Sequence, residues 1–251
     1  MLANLIALAI TLIGAVALVV YGLRYRNRQP AWRAFPVFTG LSEEVGRSAE
    51  EGSVIHIALG NASLIGENAM TSVAALEALS ALSDLAAAYD TPPIITTGDP
   101  TLYLLADDGM RRSYARLGNL RRYRRSLVQY IAADPTTYAA MTATYLYDVG
   151  IGANIILGAF DEEVSLITEA AARRGIYTMG GTPLASGLGA LYPALKPKQL
   201  LMGEEFFAAG AEISQQSTYQ ASLGGQDLLR WLIMGSIVLI GILSILGIVG
   251  G

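Results

Sequence analysis

Cysteine is absent from the 251 residues, histidine occurs once, at His56, and lysine only at Lys196 and Lys198. These absences remove whole classes of chemistry. A thiolate nucleophile and a zinc site of Cys and His ligands both need residues the chain does not have. Ser-His-Asp catalysis would depend on His56 alone. The phosphate-cradling pattern G-x-x-x-x-G-K-[ST] does not occur. Lack of cysteine is compatible with a reducing compartment.

Charge is missing from both ends. Every Asp, Glu, Lys and Arg lies between Arg24 and Arg230, although hydrophobic residues make up 53% of the chain and mean hydropathy is +0.43. The apolar runs 2–23 and 228–249 are each long enough for a helix to cross a hydrocarbon core of ~30 Å, which takes about 20 residues. A helix also satisfies its own backbone hydrogen bonds, which lipid cannot do. Ala15-Val16-Ala17 has the look of a signal-peptidase site, but no Lys or Arg precedes the apolar core and the run continues past it. Two membrane spans are therefore expected.

Arg24, Arg26, Arg28 and Arg33 follow the first run; Lys196 and Lys198 precede the second, and Arg230 stands at its start. Basic residues stay on the cytoplasmic side. The expected layout is a transmembrane helix at 1–23, a connector at 24–40, a cytoplasmic α/β domain at 41–220 and a transmembrane helix at 228–249, with both termini outside. Ala3, Ala7, Thr11 and Ala15 place small residues four apart on one face of the first span, which suits helix–helix packing.

Asn27-Arg28-Gln29-Pro30 breaks the first helix. A short amphipathic helix is expected over 41–51, with Ser42 as N-cap and Glu43 and Glu44 in its first turn. A rhythm follows. Short apolar runs at 54–59, 94–97, 127–132, 154–157 and 176–179 have the length and β-branched content of buried parallel strands. Helical segments separate them, the clearest at 67–89, where Val73, Leu76, Leu79, Leu82 and Leu85 recur every third residue. The joints carry Asp99-Pro100, Asp134-Pro135, Asp161-Glu162 and Thr182-Pro183, which are helix-start signals. The expected fold is α/β: a Rossmann-like, doubly wound parallel sheet of about five strands, with one transmembrane helix at each terminus.

The stretch 40–52, GLSEEVGRSAEEG, leading into VIHIALG at 54–60, and the segment Gly98-Asp99-Pro100-Thr101-Leu102 with 107–116, resemble a bacterial, membrane-associated family known only as a domain of unknown function. The resemblance covers most of 40–215. It implies the domain limits and carries no functional residues with it.

Open parallel sheets bind ligands at the carboxyl ends of their strands. Asn61, Asp99, Asp134, Asp161 and Thr182 are the candidates there. Three carboxylates at that edge have the oxygen chemistry Mg²⁺ takes, but each also stands in a capping context, so no cofactor is predicted. The turn after the first strand, Leu59-Gly60-Asn61-Ala62-Ser63, lacks the G-x-G-x-x-G spacing of a dinucleotide site. His56, in mid-strand, reads as a core residue with one hydrogen bond, since no fixed partner is visible. The loop 180–189 is small and glycine-rich, and suits either a close backbone approach or a plain connection.

The sharpest local feature is basic. Arg111, Arg112, Arg116, Arg121, Arg122, Arg124 and Arg125 fall within 15 residues, interleaved with Tyr114 and Tyr123, in a chain of net charge −4. Anionic lipid, an acidic patch such as Glu43, Glu44, Glu50 and Glu51 on a neighbouring subunit, and nucleic acid are the competing partners. The acidic net charge disfavours the last. Two functions compete: a non-catalytic assembly or binding module in a homo-oligomer or membrane complex, and a membrane-tethered enzyme or small-ligand receptor using the carboxyl edge.

Overall fold

In the computed structural model the described residues are Val16, 36–89, 91–148, 150–203, 205–214 and 233–237. The expected spans at 1–23 and 228–249 lie outside them, apart from Val16 and 233–237, which are helical. The stripe Ala3, Ala7, Thr11 and Ala15 also lies outside. The chain divides into two units, Ala34–Ser214 and the terminal Met1–Arg33 with Gln215–Gly251.

The elements of the first unit are α1 (Pro36–Glu51), β1 (Val54–Gly60), α2 (Ala69–Ala88), β2 (Ile94–Thr97), α3 (Pro100–Arg116), two 3₁₀ turns (Leu120–Arg122 and Arg125–Leu127), β3 (Val128–Tyr130), α4 (Pro135–Asp148), β4 (Ile151–Ala159), α5 (Val164–Arg173), β5 (Tyr177–Thr182), α6 (Ala185–Leu191), β6 (Leu200–Met202) and α7 (Glu205–Ser214). The six strands are all parallel, in the order β3-β2-β1-β4-β5-β6. That is the order of the doubly wound dinucleotide-binding folds. Succession runs outward from β1 in one direction and from β4 in the other. Right-handed crossovers then put the helices of the two halves on opposite faces.

The two faces follow from alternation along the strands. Ile55, Ile57 and Leu59 join Ile95, Ile155, Leu157, Met179 and Leu201 under α1, α2, α3 and α7. Ala58, Ile156 and Leu200 join Tyr138, Phe160, Val164 and Ile167 under α4, α5 and α6. Both faces being covered explains why β1 and β4 are apolar almost throughout.

Four expectations are corrected. The sheet has a sixth strand, β6, too short and too close to its Pro-flanked lysine loop to stand out in the sequence. Helix α1 starts five residues before Leu41, with Pro36 first, and Ser42 lies inside it. Proline is tolerated at a helix start, and Val37, Leu41 and Val45 form one buried stripe. On α2 the leucines do not make the whole contact: Val73 is exposed and Leu76 and Leu85 are half-buried, whereas Ala74, Ala75, Ala78, Leu79, Leu82 and Ala86 are buried. A repeat of three drifts around a helix of 3.6 residues per turn, and alanines let neighbours come close. A Cβ on Gly210 of α7 would sit 2.6 Å from Glu77 Cγ. Finally, Gly180 and Gly181 belong to β5 rather than to a loop. A Cβ on Gly181 would lie 2.6 Å from Leu201 Cβ.

Among the described residues one helix, α2, is long and apolar enough to cross a membrane by length and composition. It is also packed into the core of the domain.

Candidate functional site

The sheet is polar in the geometric sense. Strand carboxyl ends and the N-termini of α2 to α7 share one edge, and strand amino ends and the C-termini of α2 to α7 share the other. All five ligand candidates sit at the carboxyl edge: Asn61 after β1, Asp99 after β2, Asp134 after β3, Asp161 after β4 and Thr182 at the end of β5.

Each is bonded within the protein. Asn61 Nδ2 donates to the carbonyls of Ala132 (3.1 Å) and Ala133 (2.7 Å). To do so its side chain lies over Gly98, where a Cβ would be 2.1 Å from Nδ2. Asp99 caps α3, accepting from Thr101 N (2.9 Å) and Leu102 N (2.8 Å). Asp134 accepts from the backbone N–H of Thr137 (2.8 Å) and from its hydroxyl (2.6 Å). These two bonds, the hydroxyl's first, hold its carboxyl below the usual range.

Asp161 departs from expectation. It caps no helix, because α5 begins at Val164 behind Glu163. Instead it accepts from the Ser186 hydroxyl of α6. Thr182 is buried, and its Oγ1 lies 3.2 Å from both the N and the O of Phe160 and 3.3 Å from the N of Leu184. It clasps the end of β4 to the turn leaving β5. Among the described residues no three of His, Cys, Asp and Glu converge on a point.

Strand order reverses between β1 and β4, where a doubly wound sheet opens a crevice. Here Phe160 fills it. The side chain is 1% exposed, and a Cβ on Gly60 would lie 3.2 Å from its ring and 2.7 Å from the carbonyl of Ala159. Gly60 also takes φ +72, a conformation that favours glycine. A Cβ on Gly187 would meet the Phe160 carbonyl at 2.0 Å. In phosphate-binding turns the backbone N–H groups here and the next helix N-terminus point at the anion. In this chain Gly60 N–H faces the Tyr138 hydroxyl at 3.4 Å. The next helix starts only at Ala69, and Ser72 Oγ ties the intervening loop down by donating to Ala62 O (2.8 Å).

Beneath the crevice runs a buried polar chain. Tyr138 OH lies 2.9 Å from Thr96 Oγ1, which lies 3.0 Å from His56 Nε2, and His56 Nδ1 lies 2.7 Å from Asn154 Oδ1. Acceptance by Asn154 Oδ1 fixes the proton on Nδ1 and leaves Nε2 to accept from Thr96. All four side chains are fully buried. Burial lowers the imidazole pKa to about 4, against the raising effect of the Asn154 bond, and lifts the Tyr138 phenol to about 12. A neutral, enclosed imidazole between two neutral partners has no substrate within reach, so its role is in the core. It has two side-chain partners, one more than the sequence suggested. Those partners come from β2 and β4, residues distant in sequence that only strand pairing brings together.

The amino edge holds what sequence reading missed. A cleft of about 460 Å³ is lined by Glu44 and Arg47 of α1, Tyr177 and Thr178 of β5, and Lys196 and Gln199 before β6. Glu44 and Arg47 are paired. The Tyr177 phenol is raised, by burial first and then by the charges of Glu44 and Glu43.

The Arg cluster occupies the last turns of α3 and the 3₁₀ link into β3, beside the same edge. All seven guanidinium side chains are exposed. Arg112 pairs with Asp108, Arg116 with Asp84 at 2.8 Å, and Arg125 with Asp107 at 3.6 Å. Arg111, Arg121 and Arg124 make no ion pair among the described residues. The interleaved tyrosines turn inward. Tyr114 is buried, and Tyr123 is half-buried and donates to Asp107. Neither offers the free ring face on which single-stranded bases stack.

Compared with known proteins, residues 2–250 match the model of a family described as Domain of unknown function (DUF6754). No curated protein and no solved structure matches the chain.

Proposed function

Since the chain belongs to this family of unknown function, we propose that it is a membrane-anchored cytoplasmic α/β module with a non-catalytic role, assembling with copies of itself or into a larger membrane complex. The filled crevice carries this reading. Phe160 stands where a doubly wound sheet takes its substrate, and the polar groups around it are bonded to the protein's own backbone. The apolar runs 2–23, which has no charge, and 228–249, whose one charge is Arg230 near its start, are the proposed anchors. An open groove of about 270 Å³ between α2 and α3, with Leu76, Leu79 and Leu105 in its wall and Arg112 and Arg116 on its rim, suits contact with a partner.

The test is the mass of the complex extracted in mild detergent, combined with crosslinking in intact membranes. A defined oligomer or a reproducible crosslinked partner is expected. A monomer without crosslinks, or one that co-purifies with a stoichiometric metabolite, overturns the proposal.

A further inference from the structure

Because every strand is parallel, the helices and links that carry the domain's basic side chains bring them to one end of the sheet, where Glu169 pairs with Arg173 and other acids also lie. Between residues 34 and 214 there are twelve Lys and Arg. Arg47 lies in the second half of α1, and Arg111, Arg112 and Arg116 in the last turns of α3. Arg121, Arg122, Arg124 and Arg125 lie in the link to β3, Arg173 and Arg174 at the end of α5, and Lys196 and Lys198 ahead of β6. All belong to the amino-edge half. The described carboxyl-edge loops and first turns hold Glu67, Asp99, Asp134, Asp161, Glu162, Glu163 and Glu205, and no base.

Helix dipoles explain part of this, since cations suit helix C-termini and anions N-termini. They account for Arg116 and Arg173 in last turns. They do not account for the 121–125 link, whose Arg121 and Arg124 are exposed and outside any α-helix. The acids nearest the link are already engaged: Asp107 by Arg125 and Tyr123, Asp108 by Arg112, and Asp84 by Arg116. Glu43, Glu44, Glu50 and Glu51 also lie toward the amino edge, but on α1. That helix passes from beside β5, where Gly40 faces the Tyr177 hydroxyl, to the start of β1 and β4 at Ser48, Ser53 and Gly152. The link lies at the other margin of the sheet, before β3.

The domain's two chain ends share this edge. Helix α1 begins one turn before Gly40. Helix α7 follows β6 and runs with α2 back toward the amino edge, Gly210 lying beside Glu77. The flanking sequence adds Arg24, Arg26, Arg28 and Arg33 before the domain and Arg230 after it.

We propose that the amino edge of this domain, centred on the 121–125 link, docks on an anionic lipid surface and leaves the acidic carboxyl edge facing away from it. This rests on the membrane-anchored reading above. Anionic lipid attracts each nearby cation by about a fivefold gain in affinity, and salt weakens the attraction.

The cysteine-free chain allows a direct test. Full-length protein carrying Ser126→Cys in the link, or Glu162→Cys at the carboxyl edge, is labelled with a fluorophore. It is placed in nanodiscs of phosphatidylcholine, with or without phosphatidylglycerol, that contain a headgroup quencher. Quenching at position 126 should rise with phosphatidylglycerol and fall with salt, while position 162 stays unaffected. The variant R111Q/R121Q/R124Q should lose docking by about a hundredfold at the rate of fivefold per cation, returning position 126 to its level in neutral discs.

Quenching at 126 that ignores phosphatidylglycerol, stronger quenching at 162, or an undiminished triple variant overturns the proposal. So does quenching that follows protein density instead of lipid charge, which would mark a second copy as the partner. Failure to enter neutral discs counts against the anchors alone. Flotation of the same chain and its triple variant with phosphatidylglycerol vesicles then decides docking, an equal result for the two refuting it.

Discussion

Acidification should destabilise this domain through a single imidazole. His56 is fully buried, and burial lowers its pKa from 6.5 to about 4. The unfolded chain takes up a proton near 6.5 that the folded chain refuses until about 4. Stability from this group is therefore complete above about 6.5 and is lost as pH falls toward 4. At about 1.4 kcal/mol per unit, the shift amounts to about 3 kcal/mol, a large fraction of the 5–15 kcal/mol by which domains are typically stable. The assay is denaturant unfolding in detergent at a series of pH values, beside NMR of the ring. The chain has one histidine, so its imidazole gives one unambiguous ring signal. That signal should not titrate between about pH 5 and 8, the range in which an ordinary histidine does. His56→Gln should remove most of the pH slope across the same window. At neutral pH it should cost about 1–3 kcal/mol, because the partners on Thr96 and Asn154 are only partly replaced. A folded-state imidazole titrating near 6.5, or an unchanged slope in the variant, would refute the account of this core.

Two further outcomes follow from the carboxyl edge. Phe160→Ala should lose about 3–5 kcal/mol in denaturant unfolding and should open a crevice that binds a small apolar probe by calorimetry, which the parent chain does not. Asp99→Ala should cost about 1 kcal/mol as a lost helix cap, whereas Asp161→Ala, exposed and capping nothing, should stay within about 0.5 kcal/mol. Equal losses at the two aspartates would show that the difference in their bonding has no energetic weight.

The layered α/β class was legible because it is written locally. Short β-branched runs, a helix after each, and Asp-Pro or Thr-Pro at the joints each report on a few neighbouring residues. The Asp99 and Asp134 caps follow directly from such signals. What escaped was long-range. Strand order depends on which runs pair, and the three residues of β6 carry no periodicity of their own. Asp161 stands at a joint like Asp99 and Asp134 but is followed by Glu162 in place of proline, and its partner is Ser186, twenty-five residues away. Phe160 is one apolar residue after an apolar strand, and nothing nearby says that it would close the crevice. The basic cluster was visible as a run. Its position on the same edge as the lysines and the last residues of α5 emerges only once the strands are aligned.

The buried chain of His56, Thr96 and Asn154 has a consequence for strand alignment. Strands β1 and β4 are covered on both faces, so their apolar side chains would tolerate sliding: Ile against Ala, or Ala against Ile, differs little. His56 stands directly opposite Asn154, while Thr96 is paired with Ala58 on the other side. Slipping β4 by two positions would set the imidazole against Gly152 or Ile156 and leave it buried without its amide. An uncompensated buried polar group costs about 1–3 kcal/mol, and a one-residue slip would turn Asn154 to the opposite face as well. The polar pair therefore works as a key among interchangeable teeth: it adds little to the attraction between the central strands, but it makes one alignment of them cheaper than all its neighbours.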